Sequence, residues 1–141
     1  MLPHKFNIRV YALVIKDQKV LLVKERIDGF EFTKFPGGGV ELGEGLLTAL
    51  YREIKEELAT ECTSATHFYT TDFFQASAFN GLEQIISIYY KVGLVQNPID
   101  GKITEELDHT MQFYWKPLEE LREEDVTFPI DKHVVSLLMK A

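Results

Sequence analysis

Three glutamates, Glu53, Glu56 and Glu57, are the residues of this chain whose type and spacing could do chemistry. On a helix they form an i, i+3, i+4 set, so their carboxylates stand side by side over one turn. Like charges so close repel each other, and the arrangement makes most sense if a cation lies between them. Oxygen ligands of this kind suit Mg²⁺ or Mn²⁺, with water and phosphates completing the coordination. The alternative is an ordinary solvated helix face, which is all that an EIKEE run indicates when it is taken alone.

A helix over 46–58 must position these carboxylates. The segment contains no Gly or Pro, and its apolar residues recur at helical spacing, which predicts an amphipathic helix with one face on a core. The apolar residues are Leu47, Leu50, Tyr51, Ile54 and Leu58. The glutamates then lie on a neighbouring face of the same helix.

A glycine-rich turn precedes the helix. Gly37, Gly38 and Gly39 are followed by Gly43 and Gly45, and residues without a Cβ allow positive φ and a close backbone approach to a ligand. The start of a helix after such a loop can also receive an anion. Triple glycine alone is a weak signal, because surface turns often use it.

Loop and helix together resemble the signature of the Nudix hydrolases, also called MutT-like proteins, which reads G-x5-E-x7-R-E-U-x-E-E-x-G-U with U aliphatic. The matching residues are Gly38, Glu44, Arg52, Glu53, Ile54, Glu56 and Glu57. Ala59 and Thr60 depart from the signature, which has Gly and an aliphatic residue there. Gly would suit a left-handed helix cap, so Ala59 is expected to cost roughly 1 kcal/mol.

The resemblance implies a role for each residue of the segment. Glu56 and Glu57 are predicted to bind the principal Mg²⁺ or Mn²⁺, together with the Gly37 carbonyl. Glu53 is predicted to bind a second metal or to orient and deprotonate the attacking water. Arg52 would orient the carboxylates through a fork of hydrogen bonds.

Further residues are predicted on the substrate side of the site. Gly38 would shape the turn, and Glu44, at the helix start, would act behind the metal ligands. Arg26 lies where the family often has a basic residue that contacts a substrate phosphate, although it could equally be a solvated strand-end residue. Glu105 or Glu106 could join the metal site or act as a base, the alternative being a solvated acidic loop.

Hydrophobic patterning predicts the elements that surround the signature. The predicted strands are 6–16, 19–23, 32–35, 67–79, 83–94 and 111–116, with a loop over 96–110, a short helix from Pro117 and a terminal helix over 130–140. Asn80-Gly81 is predicted to be the hairpin turn between 67–79 and 83–94. This order is compatible with the fold that the resemblance implies, an α/β/α sandwich around a mixed β-sheet in one domain over 1–141.

Aromatic residues are assigned mainly to the core. Phe32 and Phe35, which precede the glycine turn, are predicted to be buried core residues, the alternative being that they stack on a base. Most of a second group is needed to cover the sheet, although that group could include a platform for a base. It consists of Phe68, Tyr69, Phe73, Phe74 and Phe79.

Composition limits the function classes. A formal net charge of −7 argues against a general nucleic-acid binder, which normally shows a basic face. The lone Cys62 excludes an internal disulfide. No apolar leader, long apolar run or twin-Arg motif is visible, so a cytoplasmic location without a membrane partner is expected. A homodimer is plausible for the family, and nothing in the residues decides it.

The expected substrate is a small nucleotide. Sequence marks of the ADP-ribose and NADH subfamilies are absent; the region where ADP-ribose pyrophosphatases often have Pro reads Phe74-Gln75-Ala76. The CoA-type pattern is only faintly echoed in LLVKER and lacks its Gly at Glu31. We therefore predict hydrolysis of a nucleoside triphosphate to a nucleoside monophosphate and pyrophosphate. ADP-ribose, a nucleotide sugar or a dinucleoside polyphosphate remain alternatives, as does a nucleotide sensor with this fold and no turnover.

Overall fold

The first two strands of the chain pair only next to their hairpin turn and then diverge, which divides the sheet into two halves. The computed structural model describes residues 2–140. The strands are β1 (Lys5–Lys16), β2 (Lys19–Ile27), β3 (Phe30–Lys34), β4 (Gly37–Gly39), β5 (Cys62–Thr70), β6 (Glu83–Leu94), β7 (Ile103–Glu106) and β8 (His109–Pro117). The helices are α1 (Leu46–Leu58) and α2 (Pro129–Lys140), with 3-10 turns at Leu118–Glu120 and Glu123–Asp125.

The glycine segment lies in the gap between the two halves of the sheet. The strand order is β5-β6-β1-β2-β8-β7, with β3 on β2 and β4 on β1. β1 pairs with β2 only next to their turn, whereas Arg9 to Tyr11 pair with β4. β1 and β6 are parallel and the other pairs are antiparallel. The sheet is therefore mixed, and β4 brings three glycines to its middle.

Each face of the sheet carries its own core and its own helix. Strand side chains alternate between faces, so Val10, Ala12 and Val14 pack with α1 while Tyr11 and Leu13 pack with α2. The α1 side of the core includes Ala49, Leu50, Ile54 and Leu58, and the α2 side includes Ile130, Val134, Val135 and Leu138. The predicted α/β/α arrangement is confirmed. Between residues 2 and 140, no helix has the length and hydropathy to cross a membrane.

Helix α1 has the predicted limits, and the two residues that depart from the signature lie directly after it. Ala59 adopts the left-handed conformation, with φ 55° and ψ 34°, and its N–H donates to the Lys55 carbonyl. Ala59 thus adopts the conformation expected at this position, although glycine would adopt it at a lower cost in free energy. Thr60 is buried, and its hydroxyl oxygen accepts the Gln96 N–H at 3.0 Å. A hydroxyl at this position fastens the chain after α1 to the end of β6.

The prediction of one strand over 67–79 is wrong. β5 starts earlier and ends at Thr70, and residues 71–82 are largely irregular, with one bridge between Ala76 and Gln84. Side chains in this segment accept hydrogen bonds from backbone N–H groups two or three residues away, which competes with pairing in a strand. The Ser77 hydroxyl accepts the N–H groups of Phe79 and Asn80, and the Asn80 side chain accepts that of Leu82.

The predicted loop over 96–110 contains a strand. β7 pairs with β8 around a turn at Leu107 and Asp108, where Asp108 has φ 59°. β8 begins at His109, two positions before its predicted start. The alternation of the ITEE segment is too short and too polar to stand out from a loop, and its pairing with β8 decides the structure. As a result, Glu105 and Glu106 project from a strand.

Candidate active site

Two glycines let β4 lie directly against the carboxylates of α1. The Gly37 N–H donates to Glu57 Oε2 at 2.9 Å. A Cβ on Gly37 would lie 2.1 Å from the Val10 carbonyl oxygen, and one on Gly38 would lie 2.6 Å from the Glu53 carboxyl carbon. A Cβ at Gly37, where φ is 146°, would thus collide with the backbone of β1, whereas one at Gly38 would displace the Glu53 carboxylate.

Arg52 ties the acidic groups together. Its Nε and Nη2 donate to Glu44 at 2.6 and 2.8 Å, and Nη1 donates to Glu53 at 3.0 Å. Nη1 also lies 3.4 Å from the carboxylate of Glu56, and Nη2 donates to the Gly39 carbonyl at 3.0 Å. The hydrogen bonds from Arg52 lower the pKa of Glu44 to about 2. Arg52 thus fixes the glycine turn and the glutamates as one unit.

Glu57 is the most enclosed of the three helix carboxylates, with 11% of its side chain exposed. Burial raises the pKa of Glu57 to about 7, and this effect outweighs the opposing influence of Lys34, whose ammonium lies 3.7 Å from Oε1. The neighbouring charges of Glu53 and Glu25 act in the same direction as burial. Glu56, by contrast, has 58% of its side chain exposed at the edge of the site. Glu57 is thus a largely enclosed carboxyl group that lies next to the charges of Lys34, Glu53 and Glu25.

Strand β7 closes a cavity over these groups, which we call the acidic cavity. Its volume is about 510 Å³. It is lined by Arg9, Glu25, Lys34, Gly37, Gly38, Gly39, Glu53, Glu56, Glu57, Thr104, Glu105, Glu106, His109 and Met111. On one wall, His109 Nε2 lies 3.2 Å from Glu25 Oε2. The structure thus brings Glu105 and Glu106 to the helix glutamates from more than 40 positions away in the sequence.

A second cavity, the aromatic cavity, adjoins the first and has a volume of about 620 Å³. Phe30, Phe32, Phe79 and Phe128 form one wall, with ring centroids 5.3 to 5.7 Å apart between neighbours. Arg9, Glu25 and Lys34 line both cavities, and we call these three residues the junction. A single ligand can therefore extend from an aromatic surface to a carboxylate-rich one.

A buried carboxyl group forms part of the aromatic cavity. Asp131 is 3% exposed, and its Oδ1 accepts the Tyr89 hydroxyl at 2.5 Å. Burial raises the pKa of Asp131 to about 6, although Tyr89, Lys34 and Arg9 counteract the shift. The lining of the cavity thus combines phenylalanine rings with a buried carboxyl group.

Not every residue predicted for the site lies there. Arg26 is on the face of β2 opposite Glu25; it pairs with Glu31 at 2.9 Å and lines neither cavity. Phe32 and Phe35 are buried, as predicted. The assignment of most of the later aromatic group to the core is wrong for Phe73, Phe74 and Phe79, which are 39%, 59% and 62% exposed. They lie on the irregular 71–82 segment, where Phe79 contributes to the aromatic cavity.

Sequence reasoning missed the junction and Asp131. A signal was present, because Arg9 lies between the apolar Ile8 and Val10 of β1 and Lys34 lies directly before the buried Phe35. A charge at such a position is costly unless it is paired or functional. Which elements meet at these positions follows from the pairing of β1 with β4 and of β2 with β3, which the sequence does not disclose.

The donor set of the acidic cavity fits a hard divalent cation. Carboxylate oxygens of Glu53, Glu56 and Glu57 share the cavity with the backbone of Gly37, and these are the ligands that Mg²⁺ and Mn²⁺ prefer. In the described part of the chain, no three acidic, His or Cys side chains converge closely enough to hold an ion. Arg52 and Lys34 pair with these carboxylates instead.

Comparisons with known proteins agree with this architecture. The sequence model of the NUDIX domain matches residues 5–138. A curated RNA pyrophosphohydrolase from Pelagibacter ubique (strain HTCC1062) is 48% identical over 42 residues, which are 30% of this chain and 27% of that protein. The match thus leaves most of that relative's length uncovered.

Solved structures resemble the whole fold. A NUDIX hydrolase from Nitrosomonas europaea has a TM-score of 0.73 at 22% identity, covering 93% of this chain and 86% of that chain. A MutT NUDIX hydrolase from Burkholderia pseudomallei has a TM-score of 0.72 at 24% identity, covering 97% of each chain. At these identities the likeness concerns the fold.

Proposed function

The chain belongs to the NUDIX domain family, and on that premise we propose that it is a Mg²⁺-dependent pyrophosphohydrolase acting on a nucleoside triphosphate. The products would be a nucleoside monophosphate and pyrophosphate. One observation carries the proposal: the acidic cavity and the aromatic cavity share Arg9, Glu25 and Lys34. A ligand with a planar base at one end and a chain of phosphates at the other matches that arrangement.

The acidic cavity would bind the phosphates through a cation. Glu56, Glu57 and the Gly37 carbonyl would hold Mg²⁺ or Mn²⁺, with Glu53 at a second metal or at the attacking water. When bound, the metal supplies the positive charge that neutralises phosphate oxygens and orients the water. Arg52 keeps Glu53 and Glu56 oriented, and Glu44 in turn fixes Arg52 through two short hydrogen bonds.

The remaining acidic groups and the aromatic wall would select and enclose the substrate. Glu105 and Glu106 of β7 line the same cavity as the helix glutamates, and either would add a ligand or accept a proton from water. Phe30 and Phe79, which are 48% and 62% exposed, offer ring surface for stacking a base. The proposed substrate side therefore uses Glu105, Glu106 and the phenylalanines, and it does not use Arg26.

Substrates with a longer second moiety fit the same two cavities. ADP-ribose and nucleotide sugars also join a base to a diphosphate, so they are the second candidate class. A nucleotide sensor without turnover is a third, although the complete set of signature glutamates favours an enzyme. The RNA pyrophosphohydrolase activity named for the Pelagibacter protein is a further possibility for the test, although the net charge of −7 disfavours nucleic acid.

A substrate panel with product identification tests the proposal. The purified chain would be incubated with Mg²⁺ and nucleoside triphosphates, deoxynucleotides, ADP-ribose, nucleotide sugars, dinucleoside polyphosphates, CoA and 5′-triphosphorylated RNA. Chromatography would identify the products, and EDTA would be the control. We expect EDTA-sensitive release of a nucleoside monophosphate and pyrophosphate from a triphosphate. Selective cleavage of another class would reassign the substrate, and no cleavage by a folded, nucleotide-binding protein would favour the sensor.

A further inference from the structure

Lys34 is a cation enclosed within the proposed metal and phosphate site. Only 6% of its side chain is exposed, and its ammonium donates to the carbonyl oxygens of Phe35 and Gly37 at 3.3 and 3.2 Å. It also lies 3.5 Å from Glu25 Oε1 and 3.7 Å from Glu57 Oε1. An ammonium has three N–H donors. The hydrogen bonds to Phe35 and Gly37 use two of them, and the carboxylates of Glu25 and Glu57 compensate the charge, which leaves the third N–H for a ligand. Lys34 is therefore held as a charged group inside the protein.

Two of the groups whose oxygens surround Lys34 are also proposed to bind the metal. The Gly37 carbonyl and the Glu57 carboxylate contact Lys34 directly. A divalent cation on the same oxygens would be close to the ammonium, and like charges repel strongly where water is largely excluded. Lys34 should therefore weaken metal binding when no substrate is present.

An anion at the junction would experience the opposite effect. Lys34 lines both cavities, and so does Arg9. Arg9 Nε donates to the Tyr11 hydroxyl, and neither Nη group has an acceptor among residues 2–140. Since no fully buried side-chain nitrogen in that range lacks a partner, the Nη groups must be reachable from a cavity. Two cations thus flank the position between base and metal, where a phosphate can accept hydrogen bonds from both.

We propose that Lys34 couples the binding of metal and nucleotide: its charge opposes the divalent metal in the free protein and binds the phosphate nearest the aromatic cavity. Once a phosphate neutralises Lys34, the repulsion of the metal is reduced. Metal and nucleotide then each bind more tightly in the presence of the other, as linkage requires. This inference rests on the proposed function, because it assumes that metal and phosphates share the acidic cavity.

Replacing Lys34 should change the two affinities in opposite directions. Lys34→Met removes the charge while keeping a long apolar stem, and Lys24→Met is the matched control, because Lys24 is exposed and lines neither cavity. Mn²⁺ binding without nucleotide would be titrated by electron paramagnetic resonance of the free ion. Calorimetry would measure binding of the α,β-methylene analogues of ATP and GTP in the presence of metal. Circular dichroism would check folding.

We expect Lys34→Met to bind Mn²⁺ about threefold or more tightly and the better-bound analogue about tenfold more weakly, with Lys24→Met unchanged in both. A purely structural role for Lys34 would weaken both affinities together. Unchanged or weakened Mn²⁺ binding, unchanged analogue binding, or a wild type that binds neither probe would overturn the proposal. If Lys34→Met does not fold, Lys34→Gln carries the same test, because its amide can still donate to a carbonyl without the charge.

Hydrolysis is measured separately, so that the two proposals fail in different ways. If the wild type cleaves a substrate normally and Lys34→Met weakens both affinities together, the proposed role of Lys34 is contradicted and the proposed enzyme activity is not. If the wild type cleaves none of the panel substrates and Lys34→Met still changes the two affinities in opposite directions, the result supports the role of Lys34 and contradicts the proposed enzyme activity.

Discussion

The acidic and aromatic cavities differ in how their walls are assembled. The glutamates and glycines of the acidic cavity come mainly from one contiguous segment, 37–57, in which β4 lies against α1. The aromatic cavity draws on residues from Asn7 to Asp131, contributed by four strands, the irregular 71–82 segment and the start of α2. The contiguous wall carries the proposed reaction, and the dispersed wall is suited to selecting the ligand. Substitutions should therefore affect turnover on one side and affinity on the other.

The largest effect is expected at Glu57 in the acidic cavity. Glu57→Gln keeps the size of the side chain but removes the charge that would hold the metal, and we expect kcat to fall about 10³-fold. Glu61→Gln is the control, because Glu61 is 68% exposed, pairs with Lys55 and lines neither cavity. Steady-state kinetics with Mg²⁺ checks the prediction. Turnover at the wild-type rate in a folded Glu57→Gln protein would eliminate Glu57 as a metal ligand.

Gly38→Ala should disturb the acidic cavity without replacing any of its glutamates. In Gly38→Ala, the new Cβ would lie 2.6 Å from the Glu53 carboxylate, which must move away. The displaced atoms end a flexible side chain, so we expect a folded protein whose kcat/KM is about 100-fold lower, because small misplacements of catalytic groups are costly. Gly45→Ala is the control, since its Cβ would have no contact closer than 3.7 Å. Equal activity of the two variants would contradict the proposed role of Glu53.

The buried carboxyl group of the aromatic cavity, Asp131, should make the stability of the protein depend on pH. The pKa of Asp131 is raised to about 6, so the native state binds this proton more tightly than the unfolded chain does. The stabilisation is complete below the ordinary pKa and is lost as the pH rises through about 6. We expect the free energy of unfolding to fall by about 2 kcal/mol from this group between pH 4 and 6.5.

Asp131→Asn should remove that contribution. The amide can still accept the Tyr89 hydroxyl, whereas it has no charge to lose, so urea titrations across the pH range should show a flatter dependence in the variant. Parallel curves for wild type and variant would show that Asp131 is not desolvated in solution. Arg9 and Lys34 are the charged groups that act on this carboxylate, and both are unchanged in the comparison.

The smallest effect is expected for a single ring of the aromatic wall. Phe79→Ala should raise KM about five- to tenfold and leave kcat nearly constant, because stacking contributes to binding and the neighbouring rings remain. Phe6→Ala is a matched control; both residues are 62% exposed, and Phe6 lines neither cavity. Initial rates over a range of substrate concentrations separate the two parameters. A fall in kcat with constant KM would place Phe79 on the catalytic side.

The same contrast explains how much the sequence could predict. The limits of α1, the left-handed position at Ala59 and the layered α/β/α fold follow from local spacing and from the signature. The 71–82 segment could not be predicted as irregular, because its aromatic residues are typical of a strand while Ser77 and Asn80 bond the local backbone. Arg26 was predicted to contact a phosphate or to be a solvated strand-end residue, and the structure agrees with the second, because the alternation of β2 turns it away from both cavities. Long-range pairing, which decides these cases, is not encoded in local patterns.

One comparison of substrates tests most directly whether a single ligand spans both cavities. Hydrolysis of the preferred nucleoside triphosphate and of inorganic tripolyphosphate would be measured with Mg²⁺ under the same conditions, in the wild type and in Phe79→Ala. The two-cavity account predicts that the nucleotide has a kcat/KM at least about tenfold higher, and that Phe79→Ala narrows this preference. Equal hydrolysis of both compounds, or a preference that Phe79→Ala leaves unchanged, would contradict it.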